Sequence, residues 1–101
     1  MAVKEFLEAT FDSDDKYQVR DRAICADGYS VSIQGGTHTH YCLPRTHVNE
    51  YEAVELGYPS MADEELIQYA ENQDDPTGSV YGYVPISVIE LVISKHGGIL
   101  G

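Results

Sequence analysis

Apolar side chains recur at the three- and four-residue spacing of an amphipathic helix in three segments of the chain. The first predicts a helix over residues 2–10, and the second predicts a helix over residues 61–72. The third starts at Pro85 and stops at Gly97, although its many β-branched residues leave a buried strand open. The apolar stripes consist of Val3, Phe6 and Leu7, of Leu66, Ile67 and Ala70, and of Ile86, Ile89, Val92 and Ile93.

Alternation of apolar and polar residues predicts strands in the rest of the chain. Residues 29–34 alternate most clearly, and Gly35-Gly36 predicts a two-residue turn into a returning strand over residues 37–43. That hairpin would place Ile33 opposite His38, Val31 opposite His40 and Tyr29 opposite Cys42. Further strands are predicted over residues 17–25, 53–58 and 79–84, with a helix left open for the segment at 53–58.

These elements predict one acidic α+β domain over residues 1–101. Its sheet is largely antiparallel, with about four to five strands packed against two or three helices. Apolar residues make up 43% of the chain and charged residues 23%, which is ordinary usage for a folded domain.

The charge of the chain is strongly negative and unevenly distributed. Six Lys and Arg stand against seventeen Asp and Glu, which gives a formal net charge of −11. No Lys or Arg occurs between Arg45 and Lys95, so the carboxyl half is almost purely anionic. Such a surface repels nucleic acid and anionic membranes and attracts basic proteins, although a solvated face that only keeps the protein soluble explains it equally well.

His38, His40 and Cys42 share one side of the predicted returning strand, where Cys25 or His47 could complete a tetrahedral metal site. The spacing lacks the paired motif of a dedicated zinc site, and no helix amino terminus activates Cys42 as a nucleophile. Phosphate-binding glycine loops are absent as well. We therefore expect no enzymatic activity, no metal and no cofactor.

The chain contains eight tyrosines and no tryptophan. Tyr81 and Tyr83 alternate on one predicted strand, so both rings would share a face and could stack on a partner, unless they only cap the edge of the core. The residues predicted to bind a partner protein are Asp63, Glu64, Glu65, Asp74, Asp75, Tyr58, Tyr69, Tyr81 and Tyr83. The alternative is a small-molecule pocket that consists of Gln34, His40, Arg45, Tyr81, Tyr83 and His96.

Several strings over residues 28–99 resemble a family of small acidic proteins encoded by phages and prophages. They are Val31-Ser32-Ile33-Gln34, His40-Tyr41-Cys42 with Pro44-Arg45, Gly57-Tyr58-Pro59-Ser60, Val80-Tyr81-Gly82-Tyr83-Val84-Pro85 and His96-Gly97-Gly98. The resemblance implies a viral origin. Small acidic phage proteins often inhibit host defence, and some anti-CRISPR proteins are similar in size and charge.

The functional hypothesis is accordingly a non-enzymatic anti-defence protein that binds a host nuclease or CRISPR-type complex through a nucleic-acid-mimicking acidic surface. The alternative is a binder, either monomeric or homo-oligomeric, that sequesters a nucleotide immune signal. Without a signal peptide or an apolar span, we expect the cytoplasm of an infected bacterial cell as its location. Cys25 and Cys42 are too few to form a disulfide framework, and whether they pair stays open.

Overall fold

The computed structural model describes residues 1–14, 19–37, 39, 41–46, 48 and 50–100. Helix α1 spans Val3–Ala9 and confirms the amino-terminal helix, because its apolar stripe is buried as the spacing requires. At its start the backbone N–H of Ala2 donates to Glu5 Oε1 at 3.1 Å, which satisfies one of the free amides of the first turn.

Four strands form one sheet in the order β1–β2–β3–β4, and every neighbouring pair is antiparallel. The strands are β1 at Ala23–Ile24, β2 at Ser30–Gln34, β3 at Ala53–Gly57 and β4 at Val80–Pro85. Helix α2 at Ile86–Lys95 follows β4 directly, with Pro85 at its N-cap. The α+β class and the antiparallel sheet are therefore confirmed.

The predicted hairpin over residues 29–43 is wrong. Ile33 pairs with Leu56 and Val31 with Ala23, so strand β2 lies between β1 and β3. Gly35 is needed for a different reason, because the ring of Tyr51 lies only 2.8 Å from where a Cβ would stand. The chain leaves the sheet there, and of the predicted returning strand only one bridge, from Leu43 to Ala53, is described.

The predicted helix over residues 61–72 is also wrong. Only a 3₁₀ turn forms there, at Ile67–Tyr69. Ala70 is already extended and bridges to Tyr81 of β4, which ends the turn. Before the turn, the side chain of Asp63 is buried rather than solvated, so its segment follows tertiary contacts instead of helical ones.

The core lies between one face of the sheet and the two helices. Its sheet side consists of Val31, Ile33, Val54, Leu56, Tyr81 and Val84, and its helix side of Val3, Phe6, Leu7, Ile89, Val92 and Ile93. The opposite face of the sheet presents small or polar residues such as Ser30, Ser32 and Gly57. Within the described part of the chain, no helix has the length and apolar character to cross a membrane.

Candidate functional site

Residues 58–79 form the acidic segment, which connects β3 to β4 at one end of the sheet. The segment returns to its starting point, because the backbone N–H of Tyr58 donates to the carbonyl of Ser79 at 3.0 Å. Near its end, the N–H of Glu71 donates to the carbonyl of Val80 at 2.9 Å and joins the segment to β4. The exposed carboxylates that it presents belong to Glu64, Glu71, Asp74 and Asp75.

Residues 71–79 form what we call the acidic loop, and its shape is held from inside. The buried hydroxyl of Tyr81 donates to the carbonyl of Pro76 at 2.6 Å. The N–H of Asn72 donates to Ser79 Oγ at 3.0 Å, and the N–H of Asp74 donates to Asn72 Oδ1 at 3.1 Å. These hydrogen bonds brace the loop from within the protein.

Burial raises the pKa of Tyr81, and the nearby charges of Asp63 and Asp75 raise it further. Its hydroxyl therefore stays protonated and can donate to Pro76. The exposed carboxylates of the loop, by contrast, have no ion-pair partner among the described residues. The loop is an internally hydrogen-bonded negative surface without an ion pair among the described residues.

Tyr81 and Tyr83 do not share a face, which corrects the predicted aromatic pair. Val54 pairs with Val84 and Leu56 with Tyr81, so a bulge places two residues of β4 opposite one residue of β3. The bulge buries Tyr81 fully and leaves 47% of Tyr83 exposed. Tyr81 therefore cannot anchor a partner.

The other two predicted tyrosine anchors differ from each other. Tyr58 is 54% exposed and borders the acidic loop through its bond to Ser79. Tyr69 is half-buried and packs against the core. Of the two, the structure leaves Tyr58 available to a partner.

Asp63 does not belong to the acidic surface. Its side chain is only 4% exposed, and Lys95 Nζ lies 3.4 Å from Asp63 Oδ1. The same ammonium group lies 2.9 Å from Glu65 Oε1, and this bond lowers the pKa of Glu65 and raises that of Lys95. Of the three consecutive acids, Asp63 and Glu65 share an ion pair with Lys95, and Glu64 faces solvent without an ion-pair partner among the described residues.

His96 is buried against Asp27, Tyr29 and Asp63, and we call these four residues the His96 cluster. His96 Nδ1 lies 2.7 Å from Asp27 Oδ2, and His96 Nε2 lies 3.5 Å from Asp63 Oδ2. The imidazole stacks on the ring of Tyr29, with centroids 3.9 Å apart and planes 2° from parallel. The backbone N–H of Tyr29 and the imidazole lower the pKa of Asp27, while burial and the charge of Asp63 raise that of Tyr29.

Three polar atoms of the His96 cluster are buried without a hydrogen-bond partner among the described residues: Tyr29 OH, Asp63 Oδ2 and His96 Nε2. They lie inside the protein, where a substrate has no access. Cys25 lies nearby, but burial raises the pKa of its thiol and keeps it in the unreactive protonated form. The cluster therefore fastens three separate segments, and the predicted role of His96 in ligand binding is not supported.

The other described residues of the predicted small-molecule pocket line neither of the two cavities described in the structure. The amide of Gln34 is occupied, because its Nε2 donates to the carbonyl of Arg20 and its Oε1 accepts from the N–H of Arg20. Arg45 is exposed, and His40 lies outside the described residues. A cavity of about 360 Å³ lies elsewhere, between the start of α1 and the end of α2.

Cys25 and Cys42 are both buried free thiols and do not pair with each other. Cys42 Sγ lies 3.4 to 3.7 Å from the carbonyl oxygens of three neighbouring loop residues. The metal hypothesis also depends on His38, His40 and His47, which lie outside the described residues. In the ranges that the structure does describe, no group of three or more His, Cys, Asp or Glu side chains could hold a metal ion.

The sequence did not predict that Asp27 and Tyr29 contact His96, or that Lys95 pairs with Asp63 and Glu65. Asp27 was visible only as a turn residue before Gly28, and its bond to His96 joins residues 69 positions apart. Tyr29 was visible only as an apolar position of a strand. No local pattern marks such distant partners.

Comparison with protein-family models, curated proteins and solved structures found no match to this chain. The functional interpretation therefore depends on its own residues and their contacts.

Proposed function

We propose that the protein is a non-enzymatic anti-defence protein that inhibits a host nuclease or CRISPR-type complex by occupying its nucleic-acid-binding surface. The observation that carries the proposal is the acidic loop, whose exposed carboxylates are braced from inside and have no ion-pair partner in the described structure. The resemblance to phage proteins supports a defence nuclease as the partner.

The physical basis is electrostatic. A nuclease binds the phosphate backbone with a row of Lys and Arg, and closely spaced carboxylates can present a similar row of charge. Complementary charge accelerates encounter, and a loop that already has its bound shape loses little conformational entropy on docking. Both properties favour a competitor of nucleic acid.

Burial limits which predicted residues the proposed docking surface includes. The exposed carboxylates remain in it, with Tyr58 at their border, whereas Asp63 and Tyr81 are left out because they are buried. Glu65 contributes less than its neighbour Glu64, because Lys95 balances its charge. The docking residues that we propose are Tyr58, Glu64, Glu71, Asp74 and Asp75.

An infection assay tests the proposal. Bacteria that carry individual defence nucleases are challenged with a sensitive phage while they express the protein or a variant. We expect the wild-type protein to restore plaques against at least one nuclease and the triple variant Glu71→Lys, Asp74→Lys, Asp75→Lys to lose this effect. The matched control reverses three exposed acids elsewhere, Glu8→Lys, Asp14→Lys and Asp21→Lys, which changes the net charge by the same amount. It should stay active because it leaves the acidic loop intact.

Binding of the purified nuclease to its DNA or RNA then tests the mechanism. The wild-type protein should displace the nucleic acid, and its affinity for the nuclease should fall with rising salt. Equal loss of inhibition in the loop variant and its control would show that net charge acts without a docking surface. Inhibition that survives reversal of the loop would contradict the proposal.

A further inference from the structure

Tyr83 and Tyr41 form an aromatic pair on the surface. Neither residue is among the proposed docking residues. Their ring centroids are 5.7 Å apart and the planes meet at 71°, which is an edge-to-face arrangement. The backbone N–H of Tyr83 donates to the carbonyl of Tyr41 at 2.9 Å, so the two residues are fixed to each other. Both rings remain accessible, at 39% for Tyr41 and 47% for Tyr83.

The backbone of Tyr83 is strained. Tyr83 occupies the left-handed backbone region at φ 51°, which a bulky residue rarely adopts. The neighbouring residue is Gly82, where a side chain would crowd the pair, since a Cβ there would stand 3.2 Å from Tyr41 Cβ. The bulge of β4 places Tyr83 in this conformation and leaves almost half of its side chain exposed to solvent. Strain of this kind concentrates at binding sites.

The net charge of the protein selects the ligand of the pair. Tyr83 lies on β4, the strand that follows the acidic loop, and Tyr41 lies two residues before Leu43, whose carbonyl accepts from the N–H of the exposed Glu52. An aromatic face in a negative field attracts a cation, and the guanidinium of arginine is the side chain that stacks best on such faces. Nucleic acid bases also stack on tyrosine, but the phosphates that accompany them are repelled by a net charge of −11.

We infer that the Tyr41–Tyr83 pair is a binding site for an arginine side chain on a basic segment of the partner protein. The inference rests on the proposed function, because it supplies the aromatic anchor for the partner that the acidic loop attracts. Arginine would lie on the exposed face of the pair, while the carboxylates of the acidic loop contact the partner's other basic groups.

The probe is a short peptide of alternating arginine and glycine, and its matched control is the same peptide with citrulline, which has nearly the same shape and no charge. NMR of the full-length protein should show ring-proton shifts of Tyr41 and Tyr83 with the arginine peptide and none with the citrulline peptide. Tyr83→Leu should raise Kd about threefold to thirtyfold, whereas Tyr83→Phe keeps the aromatic face and should bind like the wild-type protein.

Leu91→Ala is the control for an exposed apolar side chain, since Leu91 is 53% exposed on α2 and belongs neither to the pair nor to the proposed docking residues. Equal weakening by Leu91→Ala and Tyr83→Leu, or unchanged affinity in Tyr83→Leu, would overturn the inference. So would ring shifts that appear with a single-stranded oligonucleotide instead of the peptide. The loop variant Glu71→Lys, Asp74→Lys, Asp75→Lys leaves both rings in place, so the two hypotheses can be separated. If the loop variant loses plaque restoration and Tyr83→Leu keeps it, the inference is refuted and the proposed function stands.

Discussion

Tyr81 shows how one buried hydroxyl shapes an exposed surface. Its ring fills the core between the sheet and the helices, while its hydroxyl reaches outward to the carbonyl of Pro76 at 2.6 Å. The acidic loop is therefore tied to the core through this side chain. Removing the hydroxyl leaves the apolar contacts in place and takes away only the bond to the loop.

We expect Tyr81→Phe to lower the free energy of unfolding by about 1 kcal/mol, the usual value for the loss of one such hydrogen bond. Urea denaturation would measure the change. Hydrogen exchange of the Gly78 amide, which donates to the Asp75 carbonyl within the loop, should also accelerate. Tyr58→Phe removes a hydroxyl from an exposed ring and should alter neither quantity, and equal effects of both variants would contradict this role of Tyr81.

At the scale of elements, the end of α2 holds the acidic segment in position. Lys95 contacts Asp63 and Glu65, and the next residue, His96, joins Asp63 to Asp27 in the turn after β1. Three segments that are distant in sequence meet at one helix end. The segment with Asp63 consequently follows these contacts and not the helix that its acidic start and apolar spacing predict.

The lowered pKa of Asp27 makes this junction sensitive to acid. A carboxyl group whose pKa is lower in the folded state stabilises the fold above its ordinary value, near pH 4, and loses this effect as pH falls through the folded value. We expect Asp27→Asn to melt below the wild-type protein at neutral pH, with the difference shrinking as pH drops below about 4.

Circular dichroism melting curves between neutral pH and pH 3 would check this dependence. Asp21→Asn changes a nearby exposed carboxyl group that makes no contact with His96, and its difference from the wild-type protein should stay constant with pH. A melting difference for Asp27→Asn that grows in acid would have the wrong sign for the bond to His96.

For the whole molecule, a formal charge of −11 on one small domain produces repulsion within the folded state. Salt screens this repulsion, because the Debye length falls from about 30 Å at 0.01 M to about 8 Å at 0.15 M. The described ion pairs of Lys4 with Glu50 and of Lys95 with Glu65 lie at the surface, so their screening costs little.

We therefore expect the melting temperature to rise when NaCl increases from 0.01 to 0.15 M. Differential scanning calorimetry would measure the rise in melting temperature. The variant Glu71→Lys, Asp74→Lys, Asp75→Lys should show a smaller rise because its net charge is less negative. A melting temperature that falls with added salt would mean that attractive ion pairs outweigh the repulsion. The same salt range should weaken binding to a basic partner, which separates stability from docking.

Much of the fold follows from local patterns. The stripes of α1 and α2 arise from contacts within one or two turns, and the alternation of β2 reflects one buried and one half-exposed face. These features depend only on nearby residues. The candidate site was predicted less completely, because exposure of Glu64, Asp74 and Asp75 follows from charge, whereas burial of Asp63 depends on a lysine 32 positions away.

The sequence by itself determined the α+β class, the two amphipathic helices, the strong negative charge and its concentration after Arg45. Tertiary structure alone decided that β2 pairs with β3, that the bulge separates Tyr81 from Tyr83, and which carboxylates remain exposed. The physical reason is that periodicity reports which face of an element is buried, while strand partners and ion pairs depend on contacts between distant residues.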